Sequence, residues 1–348
     1  MTIPAQSIPL PCTREDIEDF LSTPQEGSLQ TLQDFPGDIL VLGAGGKMGL
    51  HLCLMLQKAL KALGRNDTVY AASRFQSLNS TAAYTAAGIE TIAGDFRDSD
   101  FRKSLPRCPT VFYLVGAKFG TSHQPGLLQA INVDLAADLA AEFRDSTIVA
   151  FSTGCVYSFV SPESGGATES SETKPVGDYA LSCLGREDQF TAASKKWGTP
   201  VALIRLNYAV EFRYGVLVDI AQKLLAEEAI DLSTGYVNLI WQADALNQII
   251  QCLPLAQSPA RPINITGPGV LKVEDLAQRF AKRLGKRPVF SGQPEPTAWL
   301  SNAAESHSRF GLPEVSVDQM IDWISAWLAQ GGTTHGKPTG FEKRDGKF

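Results

Sequence analysis

The chain has 348 residues, 44% of them apolar and 20% charged, enough to bury the core of one large α/β unit or two packed ones. Its net charge of −6, without a basic run, weighs against nucleic acid and anionic membrane as partners. No apolar run is long enough to span a bilayer and no basic-then-apolar leader opens the sequence, so a cytoplasmic location is expected.

Residues 1–36 read as an N-terminal helical arm. Thr13-Arg-Glu-Asp16 has the form of a capping box, and Ile17, Phe20 and Leu21 give one apolar face for packing on the body or on a second subunit. Ile39, Leu40, Val41 and Leu42 then form a buried-strand run that stops at Gly43. Glycines follow at 43, 45, 46 and 49, and an apolar-rich helical stretch runs from Met48 to a stop at Gly64. Strand, glycine turn and helix together make an anion site, because the free N–H groups and positive dipole end of the helix face the ligand. The ligand implied is a dinucleotide pyrophosphate, with Gly43, Gly45, Gly46, Lys47, Met48 and Gly49 as its expected contacts. The spacing Gly43-x-x-Gly46-x-x-Gly49 departs from G-x-G-x-x-G, and a glycine turn that holds nothing is the alternative.

Thr68–Ala72 reads as the second strand. An acidic residue at its end would take the ribose hydroxyls of NAD; the sequence has Ser73 and Arg74, a pair suited to a 2′-phosphate. NADP is therefore expected ahead of NAD, unless Arg74 is simply a solvated surface residue. Gly88–Asp95 is a third strand and Val111–Val115 a fourth, and Asp95, Phe96, Val115, Gly116 and Ala117 are further expected cofactor contacts. A helix from about Leu127 to Phe143 contains Asn132-Val133, and the fifth strand, Ser146–Phe151, runs into Ser152-Thr153-Gly154-Cys155-Val156-Tyr157. Strands alternating with helices specify a doubly wound parallel sheet with ligands at the carboxyl ends of its strands. Gly43, Ser73, Asp95, Gly116 and Thr153 then share one edge.

The six cysteines (Cys12, Cys53, Cys108, Cys155, Cys183, Cys252) form no C-x-x-C pair and read as reduced thiols. Four isolated histidines lack ligand spacing, so no metal site is expected.

The order of these motifs, followed by Tyr179, resembles an extended short-chain dehydrogenase/reductase, and more narrowly the NAD(P)-dependent epimerase/dehydratase group. The likeness continues through Pro200–Arg205, the Asp244 segment and Asn264-Ile-Thr-Gly267 with a helix at Val273–Leu284, covering about residues 37–330. It implies a Rossmann-type α/β fold with a smaller C-terminal substrate-binding lobe: an arm at 1–36, a Rossmann domain at 37–205, a mainly substrate lobe at 206–330 with some return to the sheet near 235–255, and a polar tail at 331–348. In such enzymes a Ser or Thr after the fifth strand orients the reacting oxygen, a Tyr exchanges its proton, and a Lys four residues later lowers the phenol's pKa. The positions matching the first two are Thr153 and Tyr179. The third holds Cys183.

That departure matters, because a free tyrosine has a pKa of about 10 and only about one molecule in a thousand is ionised at neutral pH. A cysteine supplies no compensating charge. Lys118, in the loop after the fourth strand, is expected as the substitute; it could equally be a phosphate contact or a surface lysine. Arg186, seven positions after Tyr179, shares roughly the same helix face. Cys183 is otherwise a small buried hydrophobe in a branch with altered or lost chemistry.

Relatives acting on nucleotide sugars usually present a diphosphate-gripping Arg before a Val-x-Asp segment, and alignment on Asp244 puts Val237 there. Arg213 is a candidate anion clamp and Tyr208 a further substrate contact, whereas Arg205 reads as structural. Tyr236 and Trp241 suit either ring stacking on a sugar or the core. The tail is expected to drape over the surface, with ordering over the cleft or a neighbouring subunit as alternatives. The expected activity is NAD(P)-dependent hydride transfer at a carbinol of a sugar, sugar acid or related small molecule, as oxidoreductase or epimerase/dehydratase. The alternatives are a catalytically silent dinucleotide-binding sensor and an oxidoreductase of unrelated mechanism. A homodimer is carried over from the family as an expectation.

Overall fold

The structure, a computed structural model, describes residues 11, 13–76, 81–118 and 125–346. The first ten residues and Cys12 of the expected arm, and the last two residues of the tail, lie outside the described residues.

A seven-stranded parallel sheet forms the centre. Its strands are β1 (Ile39–Leu42), β2 (Val69–Ser73), β3 (Glu90–Ala93), β4 (Thr110–Tyr113), β5 (Thr147–Thr153), β6 (Val201–Leu206) and a last strand, Arg261–Ile265. Across the sheet they run β3-β2-β1-β4-β5-β6 and then Arg261–Ile265, a Rossmann-type order that reverses direction beside β1. All four residues of β1 and all four of β4 are buried, as expected of strands covered on both faces. Side chains alternate between two cores: Ile39 and Val41 pack towards the helix Gly49–Ala62, and Leu40 and Leu42 towards Leu139, Phe143 and Phe190.

The helix expected over 127–143 forms, but in three pieces. Pro125–Leu128 and Leu135–Glu142 are α-helical, and Gln129–Asp134 between them is a π-helical turn. Such turns widen the helix by a residue and are frequent at functional sites. Here the turn contains the buried Asn132.

The capping box of the arm is present, with Thr13 and Asp16 exchanging side-chain-to-backbone hydrogen bonds at the start of Arg14–Phe20. The arm packs on its own chain. Ile17 and Leu21 enter the core, and in the second arm helix, Glu26–Asp34, Ser28 donates to Asn247 Oδ1 at 2.7 Å. The return to the main sheet is Arg261–Ile265 rather than 235–255. Tyr236–Val237 and Ile240–Trp241 pair instead with Leu271–Lys272 and Ala209–Val210, two residues each. Between those pairs Asn238 is turned inward to Asn207 (2.7 Å) and to the Ser301 carbonyl, which ends any longer strand.

Trp241 is 1% exposed and sits among Phe20, Phe212 and Trp323, so its place is the core and not a sugar platform. The tail does not merely drape: Thr339 and Phe341 are buried. Among the described residues no helix is long and apolar enough to cross a membrane, no group of side chains could hold a metal ion, and the five cysteines are free and buried.

Candidate active site

The site begins at the turn after β1. At Gly43, which has φ +83°, a Cβ would stand 2.7 Å from the Val115 backbone nitrogen; at Gly45 it would stand 2.7 Å from Ser73 Oγ; at Gly49 it would overlap the Ala44 carbonyl. Any side chain at these three positions would displace backbone or β2. The helix that follows starts without a side-chain cap and without an acidic residue in its first turn, so its positive end is left for an anion. A dinucleotide pyrophosphate fits these features.

Ser73 ends β2 beside this turn, and Arg74 next to it is exposed. Asp95, after β3, takes a bidentate pairing from Arg97, with the closest contact at 2.5 Å. That hydrogen bonding, with charge from Arg97 and Arg74, holds its carboxyl at about 2. Phe96 is buried against Phe101. Val115, Gly116 and Ala117 follow β4, and their backbone is fixed from behind. Asn132 Oδ1 accepts from Ala117 N at 2.8 Å and its Nδ2 donates to Ala117 O at 3.0 Å and to Ser182 Oγ at 2.8 Å. Asn132 Oδ1 also takes Arg186 Nη2 at 2.9 Å, while Arg186 Nη1 donates to the Phe151 carbonyl at 2.9 Å. Arg186 lies so close under Gly116 that a Cβ there would be 2.7 Å from Nη2.

Thr153 ends β5, and its hydroxyl accepts the Cys155 N–H at 3.2 Å, closing a short 3-10 turn. Tyr179 enters in the first turn of the helix Asp178–Trp197. Lys118 Nζ lies 5.4 Å from the centre of the Tyr179 ring. Burial, with Cys183 and Cys155 nearby, pushes the Tyr179 phenol well above its ordinary value, and Arg186 acts in the opposite sense. Burial lowers Lys118. Cys183, one turn after Tyr179, is fully buried and its thiol is raised by that burial. Arg205 is buried, pairs with Glu187 at 2.7 Å and lies 4.8 Å from the Tyr157 ring.

On the lobe side Tyr208 has φ +44°, a left-handed conformation that a bulky residue adopts only where its surroundings impose it. Arg213 is not an open clamp. Its Nε meets both oxygens of Glu211 (3.2 and 3.3 Å) and both residues are buried, so the cation is already neutralised. Burial alone would raise Glu211, but the His335 hydrogen bond and the Arg213 charge overcome it and leave the carboxyl at about 2.

Lys47 does something its place in the glycine turn did not announce. Its side chain crosses to the lobe and sets Nζ 3.3 Å from the centre of the Tyr214 ring. Burial lowers its pKa to about 7, against the charge of Glu211. Tyr214, Phe159 and Trp299 were also missed, since each reads as an isolated aromatic with no spacing to mark it.

Residues 39–210 match the family described as NAD dependent epimerase/dehydratase. Among solved structures the fold is similar to that of UDP-glucuronic acid 4-epimerase from Bacillus cereus in complex with UDP-glucuronic acid and NAD (TM-score 0.70, 18% identity, 84% of this chain and 99% of that one). It is also similar to the Thermus thermophilus UDP-glucose 4-epimerase complex with NAD (TM-score 0.70, 17% identity, 84% and 99%) and to Pal from Bacillus thuringiensis (TM-score 0.69, 17% identity, 84% and 99%). At such identities the likeness is one of fold. No curated protein matches the chain by sequence.

Proposed function

We propose, on the premise of the match of residues 39–210 to the NAD dependent epimerase/dehydratase family, that the chain is a dinucleotide-dependent enzyme acting at a carbinol of a sugar or sugar acid. The observation that carries this reading is the approach of Lys118 to the Tyr179 ring, 5.4 Å from Nζ to ring centre, beside the backbone that Asn132 and Arg186 fix. Gly43, Gly45, Gly46, Met48 and Gly49 would hold the pyrophosphate through the turn and helix start, and Ser73 and Arg74 the adenosine ribose. Bound there, a nicotinamide dinucleotide supplies the acceptor or donor of a hydride. Thr153 orients the reacting oxygen and Tyr179 exchanges its proton. Lys118 supplies the positive field that Cys183 cannot.

The exposed guanidinium of Arg74 favours NADP over NAD. One of the solved structures named above holds UDP-glucuronic acid, but this chain has the buried Val237 where the resemblance expects a diphosphate-gripping arginine and has Arg213 already paired, so a free sugar or sugar acid suits the cleft better. The free thiols fit a cytoplasmic protein, and a homodimer is in keeping with the family. One observation favours a second reading, a catalytically silent sensor of dinucleotide: the Tyr179 phenol is strongly raised and has Cys183 as its neighbour.

Titration of the protein with NADP, NADPH, NAD and NADH, followed by tryptophan fluorescence, tests both. Micromolar binding with an NADP preference that Arg74→Ala removes supports the cofactor assignment. A carbinol screen with Tyr179→Phe as the control then separates enzyme from sensor. Absence of binding to all four dinucleotides would sink both readings.

A further inference from the structure

The C-terminal segment runs back across the molecule. His335 N donates to the Arg213 carbonyl at 3.0 Å and His335 Nε2 lies 3.2 Å from Glu211 Oε1. That attaches the segment to the hairpin whose Tyr214 receives Lys47 of the glycine turn. Thr339 donates its N–H and hydroxyl to Asp219 Oδ2 (2.7 and 2.6 Å). Lys223 meets Glu342 at 3.1 Å, and the Ser233 and Thr234 hydroxyls donate to the Glu342 carbonyl at 3.3 and 3.4 Å. Phe341 between these anchors is 1% exposed.

The segment then leaves the lobe. Arg344 donates to the carbonyl and hydroxyl oxygens of Thr297 (2.6 and 2.8 Å), with its guanidinium 4.3 Å from the centre of the Phe159 ring. Phe159 stacks on Trp299, 4.4 Å between centres, and Trp299 packs with Cys155 and Ala180. Cys155 is two residues from Thr153, and Ala180 adjoins Tyr179. Gly346 finally rests on Gly177, the residue before the Tyr179 helix; a Cβ on Gly177 would be 2.7 Å from its Cα. One stretch of chain therefore joins the small lobe to the start of the helix carrying Tyr179. Arg344, Phe159 and Trp299 form a stacked layer that packs on Cys155 and Ala180, the near neighbours in sequence of Thr153 and Tyr179.

We propose that residues 335–346 form the outer wall of the substrate cleft and set its substrate class: a compact, single-ring sugar or sugar acid, with a nucleoside diphosphate attached to the ring excluded. This deepens the reading of the cleft as a dinucleotide-dependent site and rests on it. The wall is held by hydrogen bonds at its polar anchors and by one buried phenylalanine. Arg344 is the anchor nearest the reacting groups. Removing its side chain opens the face of Phe159 and releases Thr297.

The test is calorimetric titration of the dinucleotide-loaded protein with UDP-glucose as the probe. Three forms are compared: the intact chain, Arg344→Ala, and a chain ending at Gly332. The expected result is binding by Arg344→Ala and by the shortened chain that is tighter than that of the intact chain by about tenfold or more. Equal binding by intact and altered chains would overturn the proposal, and so would absence of binding by all three. If loss of Phe341 unfolds the shortened chain, Arg344→Ala alone decides, because Arg344 is only half-buried and its removal leaves the core intact. Dinucleotide binding is followed in every sample. Its absence in the intact chain counts against the proposed function and leaves the wall to be judged by probe binding alone.

Discussion

Single side chains at the site are governed by how charge is distributed in a dry interior. Among the described residues Lys118 and Arg186 are cations near Tyr179, and they act differently. Arg186 is locked by the Phe151 carbonyl and Asn132, holds the Gly116–Ala117 backbone and lowers the Tyr179 phenol from that fixed place, whereas Lys118 approaches the ring from the loop after β4. Lys118→Met is accordingly expected to slow turnover on the carbinol substrate by about tenfold or more, one pKa unit of lost field being about 1.4 kcal/mol. Unchanged turnover would take Lys118 out of the chemistry. Glu211 makes a separate prediction for stability. Its carboxyl is about 2 when folded against 4.5 as a free side chain, so the stabilisation is present above pH 4.5 and is lost as pH falls towards 2. The pH-dependent part is on the order of 3 kcal/mol. Glu211→Gln should flatten acid denaturation followed by circular dichroism between those two pH values; an unaltered profile would assign the acid transition to other groups.

Among the elements, the strand–turn–helix unit around Gly43–Gly49 was legible from its glycines, three of which, Gly43, Gly45 and Gly49, have a steric reason to be there. Gly49→Ala is expected to weaken dinucleotide binding by about a hundredfold and to destabilise the chain by about 1–3 kcal/mol, since its methyl meets the Ala44 backbone. Gly64→Ala is the contrast. It has open space around it and only a positive φ of +66°, so it should cost about 1–2 kcal/mol and leave dinucleotide affinity unchanged. Parallel melting curves and fluorescence titrations check both. The π-helical turn at 129–134 was not legible. Helical periodicity gives the same signal for α and π geometry over so few residues, and the turn is tied to Asn132 reaching Ala117, a contact fifteen residues distant.

At the scale of the whole molecule, one aromatic cluster joins the arm, the lobe and the helix Val317–Ala329. Phe20 of the arm, Phe212 and Trp241 of the lobe, and Trp323 of the last helix meet mostly edge to face, with ring centres 4.8 to 6.2 Å apart. Trp241→Ala should cost about 3–5 kcal/mol in urea denaturation and loosen arm and lobe together. A loss below about 1 kcal/mol would show that the arm docks without the cluster.

The sequence by itself determined the sheet, the glycine turn, the capped arm helix and the positions of Thr153 at a strand end and Tyr179 at a helix start, because these depend on local period, turn chemistry and motif order. It also put Cys183 four residues after Tyr179, where the family resemblance expects a lysine. It could not place the long-range pairs. Arg213 looked available until Glu211 was beside it, Lys47 looked like part of a turn until Tyr214 stood under it, and the polar tail could equally drape over the surface or order over a cleft until Asp219, Thr297 and Gly177 received it. Each of these depends on what lies opposite across the fold, and the free energy of a charge or a hydrogen bond is set by that partner and by burial, not by neighbours in sequence.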